Sequence, residues 1–150
     1  DDLTNKPTLA TVATTNSYDD LDDKPSIPGV APYYIEVALS GPGADVTTGT
    51  KKAMIRVHTA GTITGLVVDC DPANEPSAAD IEVDLNTVDR STGTATSVLS
   101  AEATITTSAN TGTGTISGTP SVSVGDLLSF DIDAGSDGQL LIATVEITPS

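Results

Sequence analysis

Short runs of this chain alternate apolar and polar residues with a period of two, and that rhythm confines most of it to β structure. Ile35, Val37 and Leu39 form one such set, and Ile55 and Val57 another. Ile81, Val83 and Leu85, then Leu128, Phe130 and Ile132, then Leu141, Ala143, Val145 and Ile147 continue it. Each set falls on one side of an extended backbone, because successive side chains of a strand point to opposite faces. Their neighbours Glu36, Arg56, Glu82, Asp84, Ser129, Asp131, Thr144 and Glu146 fall on the other side, so one face is dry and one wet. That is the pattern of antiparallel sheets stacked as a sandwich, whereas a parallel sheet covered on both faces reads as unbroken apolar runs.

Further strands are expected over 62–70, 97–107 and 113–122. Turn formers divide the runs: Gly41-Pro42-Gly43, Ala60-Gly61, Asp71-Pro72, Thr92-Gly93, Asn110-Thr111-Gly112 and Gly135-Ser136-Asp137-Gly138. The expectation is an all-β antiparallel β-sandwich of about eight strands, jelly-roll-like or immunoglobulin-like, with an extended N-terminal stalk segment.

The 150 residues suffice for one domain with an appendage. Aromatics make up 3% and Trp is absent, so the core must be built from Ile, Val, Leu and Ala. Asp and Glu number 21 against 6 Lys and Arg, a formal charge of -15. Phosphates would be repelled, which argues against nucleic acid and against an anionic membrane surface as partners. No stretch approaches the roughly 20 apolar residues of a membrane helix, so no membrane insertion is expected. Cys70 is the single cysteine and cannot form an intramolecular disulfide. The chain opens at Asp1 without Met, as expected of a piece or processed product of something longer.

A repeat occupies the N-terminal segment. Asp1-Asp2-Leu3-Thr4-Asn5-Lys6-Pro7-Thr8-Leu9 recurs as Asp19-Asp20-Leu21-Asp22-Asp23-Lys24-Pro25-Ser26-Ile27. The Lys-Pro step biases the preceding residue toward extended geometry and interrupts any helix. A unit this short and polar cannot bury a face against itself, so ordering requires neighbours, and copies in other subunits around a rotation axis supply them. Leu3, Leu9, Leu21 and Ile27 are then the oligomerisation anchors. Ile27-Pro28-Gly29-Val30-Ala31-Pro32 reads as a linker, which divides the chain into a stalk over 1–32 and a sandwich domain over 33–150.

These N-terminal segments, with Thr11-Val12-Ala13-Thr14-Thr15-Asn16-Ser17-Tyr18 between them, resemble the repeat found in tandem arrays in phage tail fibres and related virion proteins. The run Ser123-Val124-Gly125-Asp126-Leu127-Leu128-Ser129-Phe130-Asp131-Ile132 and the strand at 63–69 are similar in pattern to the β-sandwich domains that follow such repeats. The resemblance implies a structural fibre component of a bacteriophage virion. It would be homotrimeric, in contact with other tail proteins, and would present a distal domain to a host surface that includes glycans. The alternative is a carbohydrate-binding module without catalysis.

Candidate chemistry is sparse, and neither an enzyme nor a bound cofactor is expected. His58 is the single histidine and falls at a strand end, while Cys70 reads as a small core residue. Asp131, Asp133 and Asp137, with Gly135 and Gly138, read as a carboxylate-bearing loop and are the weak metal candidates. They miss the EF-hand pattern because position five is Gly135 and no Glu stands at position twelve. Asp69, Asp71 and Glu75 form a similar cluster broken by Pro72 and Pro76. A glycosidase pair could be found by chance among so many acids, but such clefts use aromatic walls, and only Phe130, Tyr18, Tyr33 and Tyr34 are present. The segment 112–118 has glycines spaced by three where a phosphate loop has two, and lies among strand formers. Tyr33 and Tyr34, where stalk meets domain, are a possible contact pair.

Overall fold

A computed structural model describes residues 30–150. The strands follow the alternation closely. They are β1 (Tyr33–Ala38), β2 (Gly49–Arg56), β3 (Gly61–Asp69), β4 (Ile81–Val88), β5 (Ala95–Ser97), β6 (Leu99–Ala101), β7 (Ala103–Ile105), β8 (Thr111–Ile116), β9 (Ser121–Val122), β10 (Leu127–Ala134) and β11 (Ile142–Pro149). All pairings are antiparallel. One sheet runs β1-β11-β3-β8-β6 with β9 also on β3, and the other runs β2-β10-β4-β5 with β7 also on β4.

From strand to strand the chain passes between the sheets: β1 lies in the first, β2 in the second, β3 in the first, β4 with β5 and β7 in the second. It then returns through β8, β10 and β11 in alternation. This is jelly-roll connectivity. In an immunoglobulin sandwich the consecutive strands F and G would lie side by side. Between the sheets, Leu66, Val68, Ile81, Val83, Leu85, Ala103, Ile105, Leu128, Phe130, Ile132, Ala143, Val145 and Ile147 form one dry core. Each large member stabilises the fold by about 1.5–3 kcal/mol relative to leaving it in water.

The register fixes two ends. At the proximal end Tyr33 pairs with Ile147 and Pro149 with Gly61, so the chain enters β1 and leaves β11 beside the β2–β3 turn. At the distal end Ala38, Ile142, Asp69 and Thr111 stand in one row, and the loops 39–48, 70–80, 106–110 and 135–141 project beyond it.

Three features depart from the sequence expectation. The strand expected over 97–107 is three short strands, because residues 98–102 swing away from β4 and β6 pairs with β8 of the other sheet. Asp84 and Leu85 of β4 thus face five residues, a bulge that closes this side of the sandwich and pairs part of the outer edge of β8. The strand expected over 113–122 divides into β8 and β9 at Gly118, which has φ +64. Ser129, expected on the wet face, is 0% exposed, and its cross-strand partner Asn86 is 4% exposed. Ser129 lies between Met54 and Asn86 in the sheet and Asn86 between Ser129 and Ser97, and neither Ser129 Oγ nor Asn86 Nδ2 has a hydrogen-bond partner.

Candidate functional site

The bulge that closes the sandwich also opens a groove on the outer face of the second sheet. It has a volume of about 490 Å³ and is lined by Glu82 and Asp84 of β4 and by Ser97, Leu99, Ser100, Ala101, Glu102 and Thr104. Asp131 stands opposite Asp84 across the β10–β4 ladder, and like charges so placed repel. Each is relieved by a donor: Ser97 Oγ donates to Asp84, and the Lys51 backbone N–H donates to Asp131 at 2.6 Å. Glu102 has no such relief. Burial, and then the charges of Asp133, Glu82 and Asp84, hold its carboxyl above the usual carboxylate range, and a hydrogen bond with Asp133 favours its protonated form. The groove therefore offers carboxylate and hydroxyl oxygens to a ligand rich in O–H or N–H donors.

Several carboxylates of the domain serve the backbone. Asp71, Asp80, Asp89, Asp126, Asp131 and Asp137 each accept a backbone N–H, from Ala73, Thr107, Ser91, Ser123, Lys51 and Ser77 respectively. These residues satisfy amides that turns and bulges leave out of the ladders. Asp137 is the extreme case: it also accepts from Ser77 Oγ, Ser136 Oγ and the Ala78 N–H, and these donors hold its carboxyl far below the ordinary value. Glu82, Asp84 and Glu102, with Asp133 beside them, accept no backbone amide, so the groove gathers carboxylates that the backbone does not use.

The weak metal candidates are not one loop cluster. Asp131 and Asp133 stand on β10, because that strand extends through Ala134 opposite Glu82, and only Asp137 is in the loop beyond it. Asp131 fills the β2 bulge, where Thr50, Lys51 and Lys52 lie between the pairs Phe130–Ala53 and Ile132–Gly49 and Lys51 takes φ 52. Among the described residues no group of three or more His, Cys, Asp or Glu is arranged to hold a metal ion. In the cluster of Asp69, Asp71 and Glu75, Asp71 is consumed by Ala73 N–H and Asn74 Nδ2.

His58 is exposed at the proximal β2–β3 turn, away from the groove. Cys70 is buried, and burial with the nearby carboxylates of Glu75, Asp69 and Asp71 pushes its thiol up, which disfavours the nucleophilic thiolate. Tyr33 and Tyr34 point to opposite faces of β1, so they do not make one platform. Tyr33 donates its hydroxyl to Thr59 O and ties β1 to the β2–β3 turn, while Tyr34 is 61% exposed. Leu3, Leu9, Leu21 and Ile27 lie outside the described residues. Glu102, Ser97 and Ser100 were not singled out from the sequence. The available signal was the adjacent apolar pair Val98-Leu99, which breaks the alternation and marks a bulge.

Fold and groove together define an acidic jelly-roll domain with a polar outer groove. A scan against protein-family models, a search of curated proteins and a search of solved structures each return no match.

Proposed function

We propose that this chain is a structural, non-catalytic component of a virion fibre, trimeric through its N-terminal repeats, which presents the jelly-roll domain for attachment to a host surface. The observation that carries the reading is the doubled Asp-Leu-x-x-Lys-Pro-x-Leu/Ile unit, Leu3 to Leu9 and Leu21 to Ile27, leading directly into a sandwich. The position of β1 supports it: the chain enters at the proximal end, so the loops 39–48, 70–80, 106–110 and 135–141 lie at the far end, where a fibre tip would meet its target. Three copies carry three times a charge of -15, a repulsion that apolar contact and salt must offset. Sedimentation equilibrium of the full chain should give a trimer that tightens as salt rises, and a monomer at both low and high salt would refute the reading.

The groove favours the second reading, a carbohydrate-binding module, because carboxylates and hydroxyls are suited to accept and donate hydrogen bonds to sugar hydroxyls. A glycan array followed by calorimetry, with and without calcium, tests it. Binding that is lost in Glu102→Gln and Asp84→Asn would support glycan recognition at this groove, and binding unaffected by both would move it elsewhere.

A further inference from the structure

We propose that the open side of the sandwich, between β1 and β2, is the face on which copies of this chain meet, with β1 of one copy beside β2 of the next. The inference rests on the trimeric reading above and adds where in the domain the copies touch.

The two long sides of the sandwich are unequal. On one side the bulge at 98–102 lets β6 pair with β8 and draws the sheets together. On the other side, among the described residues, β1 pairs only with β11 and β2 only with β10. Ile35, Val37, Ala53 and Ile55 point inward there, yet all are only half-buried, whereas the inward residues of β10 and β11 are dry. β1 also exposes one backbone edge along Tyr-Tyr-Ile-Glu-Val-Ala, which has one charge and no Lys, Pro or Gly to deter pairing. Proteins normally guard such edges, as β2 is guarded here by its bulge and by Lys51 and Lys52.

Geometry and charge identify the occupant as a second copy. The second repeat ends at Ile27, six residues before Tyr33, and six extended residues reach at most about 20 Å. A domain of this size is about 35 Å across. Repeats gathered on an axis would hold the start of β1 on the axial side of each domain. Among residues 30–150 the basic side chains are Lys51, Lys52, Arg56 and Arg90, and three of these four are on β2. Lys51 reaches across its own sheet to Gly93 O, so a head-to-tail contact would set Lys52 and Arg56, on the outer face of β2, beside Glu36 on β1 of the neighbour and would relieve part of the mutual repulsion.

The test is sedimentation equilibrium of the full chain, unaltered and as Ala53→Glu, Lys52→Glu and Thr113→Glu, with thermal unfolding as a check on folding. Ala53 faces the seam, Lys52 is exposed on the outer face of the same edge strand, and Thr113 is exposed on β8, on the closed side of the sandwich. The expected result is at least tenfold weaker association for Ala53→Glu and for Lys52→Glu, the latter shrinking at high salt, with Thr113→Glu unchanged. Lys52→Glu alters an exposed residue and keeps the test decisive if Ala53→Glu does not fold. A trimer in which both Lys52→Glu and any folded Ala53→Glu associate as strongly as the unaltered chain would overturn this face and leave the trimeric reading standing. Weakening by Thr113→Glu alone would move the contact to the closed side. An unaltered chain that stays monomeric would overturn both proposals.

Discussion

Adding one methyl group at Gly112 should destabilise the domain far more than adding one at Gly114, two residues along the same strand. A Cβ at Gly112 would meet the carbonyl oxygen and carbon of Thr104 and stand 2.9 Å from the Ile105 nitrogen, all backbone of β7. To restore ordinary contact, β7 and β8 must part by about an ångström where the bulge draws the sheets together. Overpacking costs about 1–3 kcal/mol, and the upper part of that range applies because backbone cannot rotate away. The loss of glycine freedom in the unfolded chain offsets about 0.4–1 kcal/mol. The net cost is about 2 kcal/mol, or roughly 8 °C in Tm for a domain of this size.

At Gly114 the nearest atoms are the methyl groups of Leu99 at 3.2 Å and Leu66 at 3.3 Å, which can shift by a few tenths of an ångström. Gly114→Ala should therefore remain within about 0.5 kcal/mol of the unaltered protein. Equilibrium urea unfolding of both variants measures the difference. A Gly112→Ala domain as stable as Gly114→Ala would refute the close backbone approach of β7 and β8, and with it the account of how this side closes.

Ser129→Ala should be neutral or stabilising by about 1 kcal/mol, because it deletes a buried hydroxyl that bonds to nothing; a loss above 1 kcal/mol in urea unfolding would mean that the hydroxyl has a partner. Asp131→Ala should cost about 1 kcal/mol by leaving the Lys51 N–H at φ 52 without its acceptor, and Asp131→Asn should recover part of the loss. Asp71, Asp89 and Asp137 have lowered pKa values when folded, so their contribution is present above the unfolded value of 3.8 and is lost as pH falls below it. Acid unfolding should accordingly steepen below about pH 4, and Asp137→Asn should flatten that limb. Glu102 has the opposite sign: its folded pKa is raised above 4.5, so it binds more protons folded than unfolded and stability falls as pH rises through that window. Glu102→Gln should raise Tm at pH 7 and leave it nearly unchanged at pH 4, and an equal shift at both would refute the burial and carboxylate crowding that hold Glu102 up.

The alternating sets were legible because a strand buried on one face carries its burial in its own sequence. Leu128, Phe130 and Ile132 lie inside for the same local reason that Asp131 lies outside. Ser129 escaped that logic because its burial comes from neighbours on β2 and β4, which no local pattern encodes. The loop carboxylates looked alike in sequence, yet Asp131 and Asp137 accept amide hydrogens from residues 80 and 60 positions away, so their roles are set by the fold and not by spacing.

The sequence by itself determined that this protein is built of antiparallel strands and which side chains of the long alternating strands turn inward, since both follow from short-range alternation and turn chemistry. Tertiary structure alone decided the jelly-roll order, the outward swing of residues 98–102, and the meeting of Glu82, Asp84 and Glu102 in one groove with Asp133 beside it. Those outcomes depend on contacts between strands distant along the chain, and the burial and repulsion that raise the Glu102 pKa exist only once such strands stand side by side.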